Sequence, residues 1–173
     1  MYKKINQSYN KVIMMLKEII TMILNQKESA AIKDLQTQEE MCIKKYEKYH
    51  NEAKDPVLKD LFKNLQEREQ QHYDSLEQVL TGQVPSCDCN DSSGREYNPA
   101  ATYNTESQLQ NKDSDCYLAT DCIATEKLVS SEYNSDVFVF GDPSIRKLLA
   151  DIQVEEQNHA EMLYKYKTVN GMS

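Results

Sequence analysis

Apolar residues recur at alternating spacings of three and four along four segments of the chain. This spacing places them on one stripe of an α-helix that packs against other helices. Each stripe is interrupted near its centre by a glutamate, and two of them also by a histidine. The pattern therefore predicts four helices with polar groups in the middle of their apolar faces. The stripes run through Ile32, Leu35, Glu39, Cys42, Tyr46, Tyr49 and Ala53; Leu58, Phe62, Leu65, Glu69, His72, Leu76 and Val79; Ala119, Cys122, Glu126, Val129, Tyr133, Asp136 and Phe140; and Ile145, Leu149, Ile152, Glu156, His159, Leu163 and Tyr166.

The chain contains an internal duplication. Residues 34–76 align with residues 121–163 without a gap, at an offset of 87 positions. Such self-similarity indicates two copies of one structural unit. Eleven of the 43 aligned positions are identical, namely Asp34 and Asp121, Glu39 and Glu126, Tyr46 and Tyr133, Asp55-Pro56 and Asp142-Pro143, Leu61 and Leu148, Gln66 and Gln153, Glu69-Gln70 and Glu156-Gln157, His72 and His159, and Leu76 and Leu163.

Each copy contains an Asp-Pro pair between its two apolar stripes, at Asp55-Pro56 and Asp142-Pro143. The aspartate can accept backbone N–H groups at a helix start, and the fixed φ of proline suits the first helical turn. Each copy is therefore predicted to be a helical hairpin that turns at Asp-Pro.

The predicted organisation is a single all-α domain, at residues 29–171, preceded by an accessory helix at 1–28. The hairpins occupy residues 29–82 and 113–169. Between them lies a Ser-, Asn-, Asp-, Gly- and Pro-rich crossover at residues 83–112, which reads as a long connection. Two hairpins joined by one long crossover have the connectivity of a ferritin-like antiparallel four-helix bundle.

The N-terminal segment carries an apolar stripe of its own. An extra helix here would either form a homodimer or partner interface or pack along the outside of the domain. Its 13-residue apolar run, from Val12 to Leu24, is too short to span a bilayer and contains Lys17 and Glu18. The stripe consists of Ile5, Tyr9, Val12, Leu16, Ile19 and Ile23.

The net charge and the cysteine content argue against a nucleic-acid-binding protein and a disulfide-rich protein. The formal net charge of -8 provides no basic surface for a nucleic-acid partner. Five scattered cysteines do not form a regular disulfide framework, which favours a reducing compartment such as the cytoplasm. Cys87 and Cys89 in the crossover are either a redox or metal pair or two loop thiols without function.

The central polar residues are predicted to meet at one level. Glu39 lies 16 residues before Asp55 and Glu69 lies 14 after it, so both lie roughly 20–24 Å from the turn at 1.5 Å per residue. Glu126 and Glu156 have the same spacing about the second turn. A histidine three residues after a glutamate shares its helix face.

This polar layer points to metal binding. Ionised carboxylates in an apolar stripe cost several kcal/mol without a counter-charge, and no Lys or Arg lies on the stripes. Two divalent cations, most readily iron and otherwise manganese, would balance four carboxylates. One Glu from each of two helices plus Glu-x-x-His from the other two is the ligand set of ferritin-like dimetal proteins. The predicted ligands are Glu39, Glu69, His72, Glu126, Glu156 and His159.

Plainer alternatives exist for several of these residues. The polar set as a whole could lie on a solvated face. The repeat favours Glu39 over Glu40 as the ligand, because Lys127 occupies the position equivalent to Glu40. Tyr46 and Tyr133 either pack in the core or bond the ligand carboxylates.

Residues 113–171 resemble the spore coat F domain of spore-forming Firmicutes, a branch of the ferritin-like superfamily. The likeness lies in Thr-Glu-Lys at 125–127, Tyr-Asn at 133–134 and DPSIRKLL at 142–149. It implies a structural or assembly role in the spore coat or the mother-cell cytoplasm, with coat-protein partners, and a metal that is structural or absent.

The ligand pattern separately resembles that of rubrerythrins. This second resemblance implies a peroxidase or ferroxidase that reacts with peroxide or dioxygen, with Tyr46 and Tyr133 bonded to the ligands. Rubrerythrins commonly carry a glutamate at the position of Val129 and usually end in a rubredoxin domain with two CxxC pairs, which is lacking here. A peroxidase cycle would therefore need an external electron donor.

Overall fold

A computed structural model describes residues 24–86, 92–104 and 108–172. Most of these residues are helical and none of them lies in a strand, which confirms the predicted all-α class. None of the helices in these ranges combines the length and hydropathy that crossing a lipid bilayer requires. The helices are α1 Gln26–Glu52, α2 Pro56–Leu80, α3 Ser93–Glu96, α4 Leu109–Asp136 and α5 Pro143–Val169, with a 3₁₀ turn at Val137–Val139 before α5.

Local sequence sets the starts of the long helices. The Asn25 side chain accepts the backbone N–H groups of Lys27 and Glu28, and the Glu28 carboxylate accepts the N–H of Asn25 in return. Asp55 and Asp142 cap α2 and α5, each followed by a proline in the first turn, as the sequence predicted.

Some bounds differ from the sequence-based prediction. Helix α1 includes residues 26–28, which the sequence placed with the preceding segment, and α4 begins four residues before position 113. The crossover contains the short helix α3. The predicted accessory helix lies, up to residue 23, outside the described residues, as do Cys87 and Cys89.

The two hairpins pack against each other. Helix α1 lies along α2 and α4 lies along α5, and short connections make each pair antiparallel. Between the hairpins, α1 contacts α4 and α2 contacts α5. Each long helix therefore has two long neighbours.

Two apolar clusters divide the interior along the helix axes. The first contains Ile32, Leu76 and Ile152, and the second contains Phe62 and Tyr166 among others. Both clusters draw residues from all four long helices. The glutamates and histidines of the interrupted stripes lie between them, so a polar layer crosses an otherwise apolar interior.

A buried aspartate ties the hairpins together at the α1–α2 turn. Asp115 of α4 accepts the backbone N–H groups of Lys54 and Asp55, at 2.9 and 2.8 Å, and the hydroxyl of Tyr103 at 2.6 Å. The Tyr166 hydroxyl donates to Asp55 at 2.7 Å. The turn, the crossover and the second hairpin thus share one hydrogen-bond network.

Candidate metal centre

The structure brings all six predicted ligands together in the polar layer. Each has an exposed fraction of 4% or less. None of the lysines and arginines in the described ranges is buried, so the layer contains no basic side chain other than histidine. The six residues are Glu39 on α1, Glu69 and His72 on α2, Glu126 on α4, and Glu156 and His159 on α5.

These side chains form two overlapping groups. One oxygen or nitrogen from each of Glu39, Glu69, His72 and Glu156 lies within 4.8 Å of the others. The same holds for Glu69, Glu126, Glu156 and His159. Glu69 and Glu156 belong to both groups and therefore lie between the two ends of the layer.

Equivalent residues of the two hairpins make equivalent contacts across the layer. His72 Nδ1 lies 2.9 Å from Glu156, and its duplicate His159 has Nδ1 3.0 Å from Glu69. The two imidazole rings stack with centroids 5.7 Å apart. A pattern in which each residue contacts its partner's counterpart is the mark of an approximate two-fold axis. The duplication in sequence thus becomes a near-symmetric site.

Two equivalent tyrosines also bond from one hairpin to the other. The Tyr46 hydroxyl donates to Glu126 Oε1, and the Tyr133 hydroxyl donates to Glu39 Oε1. Both tyrosines are fully buried in the core as well, so packing and hydrogen bonding occur together. Glu40, by contrast, is exposed and pairs with Lys44 at 2.5 Å.

Burial and charge shift the protonation of the layer. Burial raises the pKa of Glu39 to about 7, although His72 partly opposes the shift. Burial and then the neighbouring carboxylates raise the pKa of Glu156 well above its usual range. For His159, burial lowers the pKa, but the carboxylates of Glu69 and Glu126 outweigh it and raise the pKa to about 9. Protons therefore balance part of the negative charge at neutral pH, and a bound cation would displace them.

Several buried atoms of this layer lack a hydrogen bond of good geometry, although some lie within ion-pair distance of a histidine or carboxylate. A buried polar atom without a hydrogen bond is costly, and a bound ion or water molecule is one arrangement that would satisfy it. Carboxylate oxygen and imidazole nitrogen are ligand atoms for iron and manganese, so the donor set fits such ions. In the described part of the chain, these atoms are Glu39 Oε2, Glu69 Oε1, Glu126 Oε2, both carboxylate oxygens of Glu156, and His159 Nδ1.

One contact residue was missed by the sequence analysis. Glu155 on α5 lies 2.5 Å from His72 Nε2, on the side of the ring away from the four glutamates. Its position next to Glu156 takes it off the apolar stripe, so periodicity gave no sign of it. An acidic residue beside a predicted ligand was the available signal.

Comparison with known proteins bears on the second hairpin. Residues 114–173 match the family model of the Coat F domain. The match supports the resemblance to the coat F family and covers about a third of the chain. Searches of curated proteins and of solved structures found no match.

Proposed function

We propose that this chain is a ferritin-like dimetal-carboxylate protein, in which two hairpins form an antiparallel four-helix bundle around two iron or manganese ions. The main supporting observation is that buried carboxylate oxygens without a well-formed hydrogen bond converge on one layer with two histidines. Glu39 and His72 would hold one ion, and Glu126 and His159 the other. Glu69 and Glu156, which belong to both groups, would contact both ions.

Reaction with peroxide or dioxygen is the activity that this ligand set supports. A pair of bound divalent iron ions would supply the two electrons that, with two protons, reduce one hydrogen peroxide to two waters, and an external electron donor would restore them. The chain's own residues hold the ligand carboxylates through Tyr46 and Tyr133 and exclude bulk water with the two apolar clusters.

Elemental analysis of purified protein tests the metal proposal. We expect two metal ions per wild-type chain and a clear loss in Glu39→Gln. Glu40→Gln is the matched control, because Glu40 is the next residue on the same helix but is exposed. Wild-type protein that stays free of metal after loading with ferrous and manganous ions would refute the proposal.

Stopped-flow oxidation tests the redox activity separately. Protein loaded anaerobically with ferrous iron is mixed with hydrogen peroxide. We expect oxidation faster than that of free ferrous iron, with one peroxide consumed for two irons. A rate no faster than in buffer would exclude the peroxidase and leave metal binding intact.

A second candidate function is structural: a spore coat or coat-assembly protein in which a metal only stiffens the bundle. The Coat F match over residues 114–173 favours it. Partners would then be other coat proteins or a second copy, bound through the N-terminal segment. Fractionation tests this role. Recovery in purified spore coats or mother-cell cytoplasm is expected, whereas protein confined to vegetative cells would rule the role out.

A further inference from the structure

The near-symmetric site is broken at one pair of equivalent positions. Glu155 and Arg68 are related by the 87-residue offset, and each directly precedes a predicted ligand glutamate. The two hairpins therefore share their predicted ligand types but differ in the charge of the residue that precedes the ligand glutamate.

At one end of the layer, Glu155 contacts His72 at Nε2, the ring nitrogen that faces away from the four glutamates. His72 Nδ1 lies 2.9 Å from Glu156 and 3.2 Å from Glu69, and Nε2 lies 2.5 Å from Glu155. The His72 ring is therefore fixed at both nitrogens, with Nδ1 directed at the carboxylates. The Glu155 side chain is 19% exposed, so its outer edge meets solvent.

At the other end, His159 has no such support. Its Nδ1 faces Glu69 at 3.0 Å, and within the described ranges its ion-pair contacts are all made through this atom. The ring also lines a cavity of about 110 Å³ whose other walls include Glu155, Arg68, Ser93 and Met162. Arg68, the sequence equivalent of Glu155, is exposed and donates to Gln71 Oε1 at 3.1 Å, and a guanidinium cannot accept a hydrogen bond from an imidazole.

We propose that Glu155 is a positioning residue that makes the two metal positions unequal. It orients His72 and strengthens binding at the Glu39–His72 end. The Glu126–His159 end, which opens on the Arg68 cavity, binds its ion more weakly and exchanges it with solvent. This inference rests on the proposed metal binding and deepens it.

The physical basis is the effect of a carboxylate on a ligating imidazole. A carboxylate that accepts the N–H of one ring nitrogen fixes the ring and raises the basicity of the other nitrogen. Loss of such a partner lowers metal affinity by about 10- to 100-fold. The same factor sets the expected separation between the two binding steps.

Anaerobic calorimetric titration of metal-free, full-length protein with manganous ion tests the asymmetry. We expect two binding steps in the wild type. Glu155→Ala weakens the tighter step by about 10- to 100-fold, and Glu155→Gln, whose amide oxygen still accepts a hydrogen bond, retains more of the affinity. Glu67→Ala is the matched control, because Glu67 is an exposed glutamate of α2 that pairs with Lys63 at 3.6 Å. It leaves the tighter step unchanged.

The duplication supplies a converse variant. Arg68→Glu places at the second end the carboxylate found at the first, so the weaker step is expected to approach the tighter one. Circular dichroism verifies folding, and if Glu155→Ala unfolds, Glu155→Gln and Arg68→Glu decide. Equal wild-type steps, or an unchanged tighter step without Glu155, would overturn this inference alone. A wild type that binds no manganese would overturn the proposed function with it.

Discussion

Tyr46 and Tyr133 each hydrogen-bond to only one of the two oxygens of a buried glutamate carboxylate. In both Glu39 and Glu126, Oε1 accepts a tyrosine hydroxyl and Oε2 makes no hydrogen bond. Burial, and then the facing carboxylates, raise the pKa of both tyrosines well above the usual value, so both hydroxyls keep the proton they donate. One oxygen is thereby fixed while the other remains available to an ion.

Removing one of these hydroxyls should weaken metal binding. We expect Tyr133→Phe to lower the affinity for manganous ion by about 10- to 100-fold, because Glu39 loses the bond that orients it. Tyr117→Phe, on the same helix but 68% exposed, should have no effect. Calorimetric titration measures both. Unchanged affinity in Tyr133→Phe would mean that the tyrosine acts through packing alone.

Replacing the predicted ligand Glu156 with a neutral residue should stabilise the metal-free protein and remove the stabilisation that metal provides. Glu156 is fully buried among other carboxylates, and both features raise its pKa and disfavour its ionised form in the metal-free protein. Glu156→Gln should therefore raise the free energy of unfolding of the metal-free protein by on the order of 1–3 kcal/mol and abolish the stabilisation that added manganese provides. Urea unfolding with and without chelator measures this, and Glu47→Gln on the exposed side of α1 serves as control. A loss of metal-free stability would contradict the expectation.

At this scale the sequence predicted the placement of the central residues but not of their supports. Glu39 and Glu126 could be aligned because the duplication fixed their distance from a recognisable turn. Glu155 contacts His72 through a side-chain direction that no periodicity encodes. Asp115 lies outside the repeated segment, although it continues the apolar stripe of α4 one turn before Leu118 and Ala119.

Among the elements, the crossover helix α3 is held closely against α5. Gly94 donates its N–H to Asn158 Oδ1 at 3.1 Å, and Lys165 donates to the carbonyl oxygens of Gly94 and Arg95, both at 2.7 Å. A Cβ on Gly94 would lie 2.8 Å from Asn158 Oδ1 and 3.1 Å from the Asn158 Cα. Glycine is therefore required for this approach. The sequence predicted only a long connection here, because Ser and Gly give no helical period.

A pair of glycine substitutions tests this contact. Gly94→Ala should lower the free energy of unfolding by about 1–3 kcal/mol through the clash with Asn158. Gly141→Ala, where no atom lies within 4 Å of the added methyl group, should change it by less than about 1 kcal/mol. Urea denaturation compares the two. Equal changes in the free energy of unfolding would show that Gly94 of α3 does not pack closely against Asn158 of α5.

On the scale of the whole molecule, the polar layer separates two apolar clusters. The proposed metal ions would therefore stabilise the centre of the fold. An ion that binds only the folded chain stabilises it by about 2.7 kcal/mol at a free concentration 100 times its Kd. We expect manganous ion to raise the midpoint of thermal unfolding and a chelator to reverse the rise. Glu39→Gln should show little of either effect. A metal-independent midpoint in the wild type would refute the proposed site.

The reciprocal contacts across the approximate two-fold axis have a consequence for a hairpin taken alone. The matched region, residues 114–173, contains one hairpin and hence Glu126, Glu156 and His159, which is half of the ligand set. A polypeptide consisting of one such hairpin cannot close this site within itself. Two copies docked face to face would restore the site, so for such an isolated hairpin dimerisation and the metal binding proposed above would be one equilibrium.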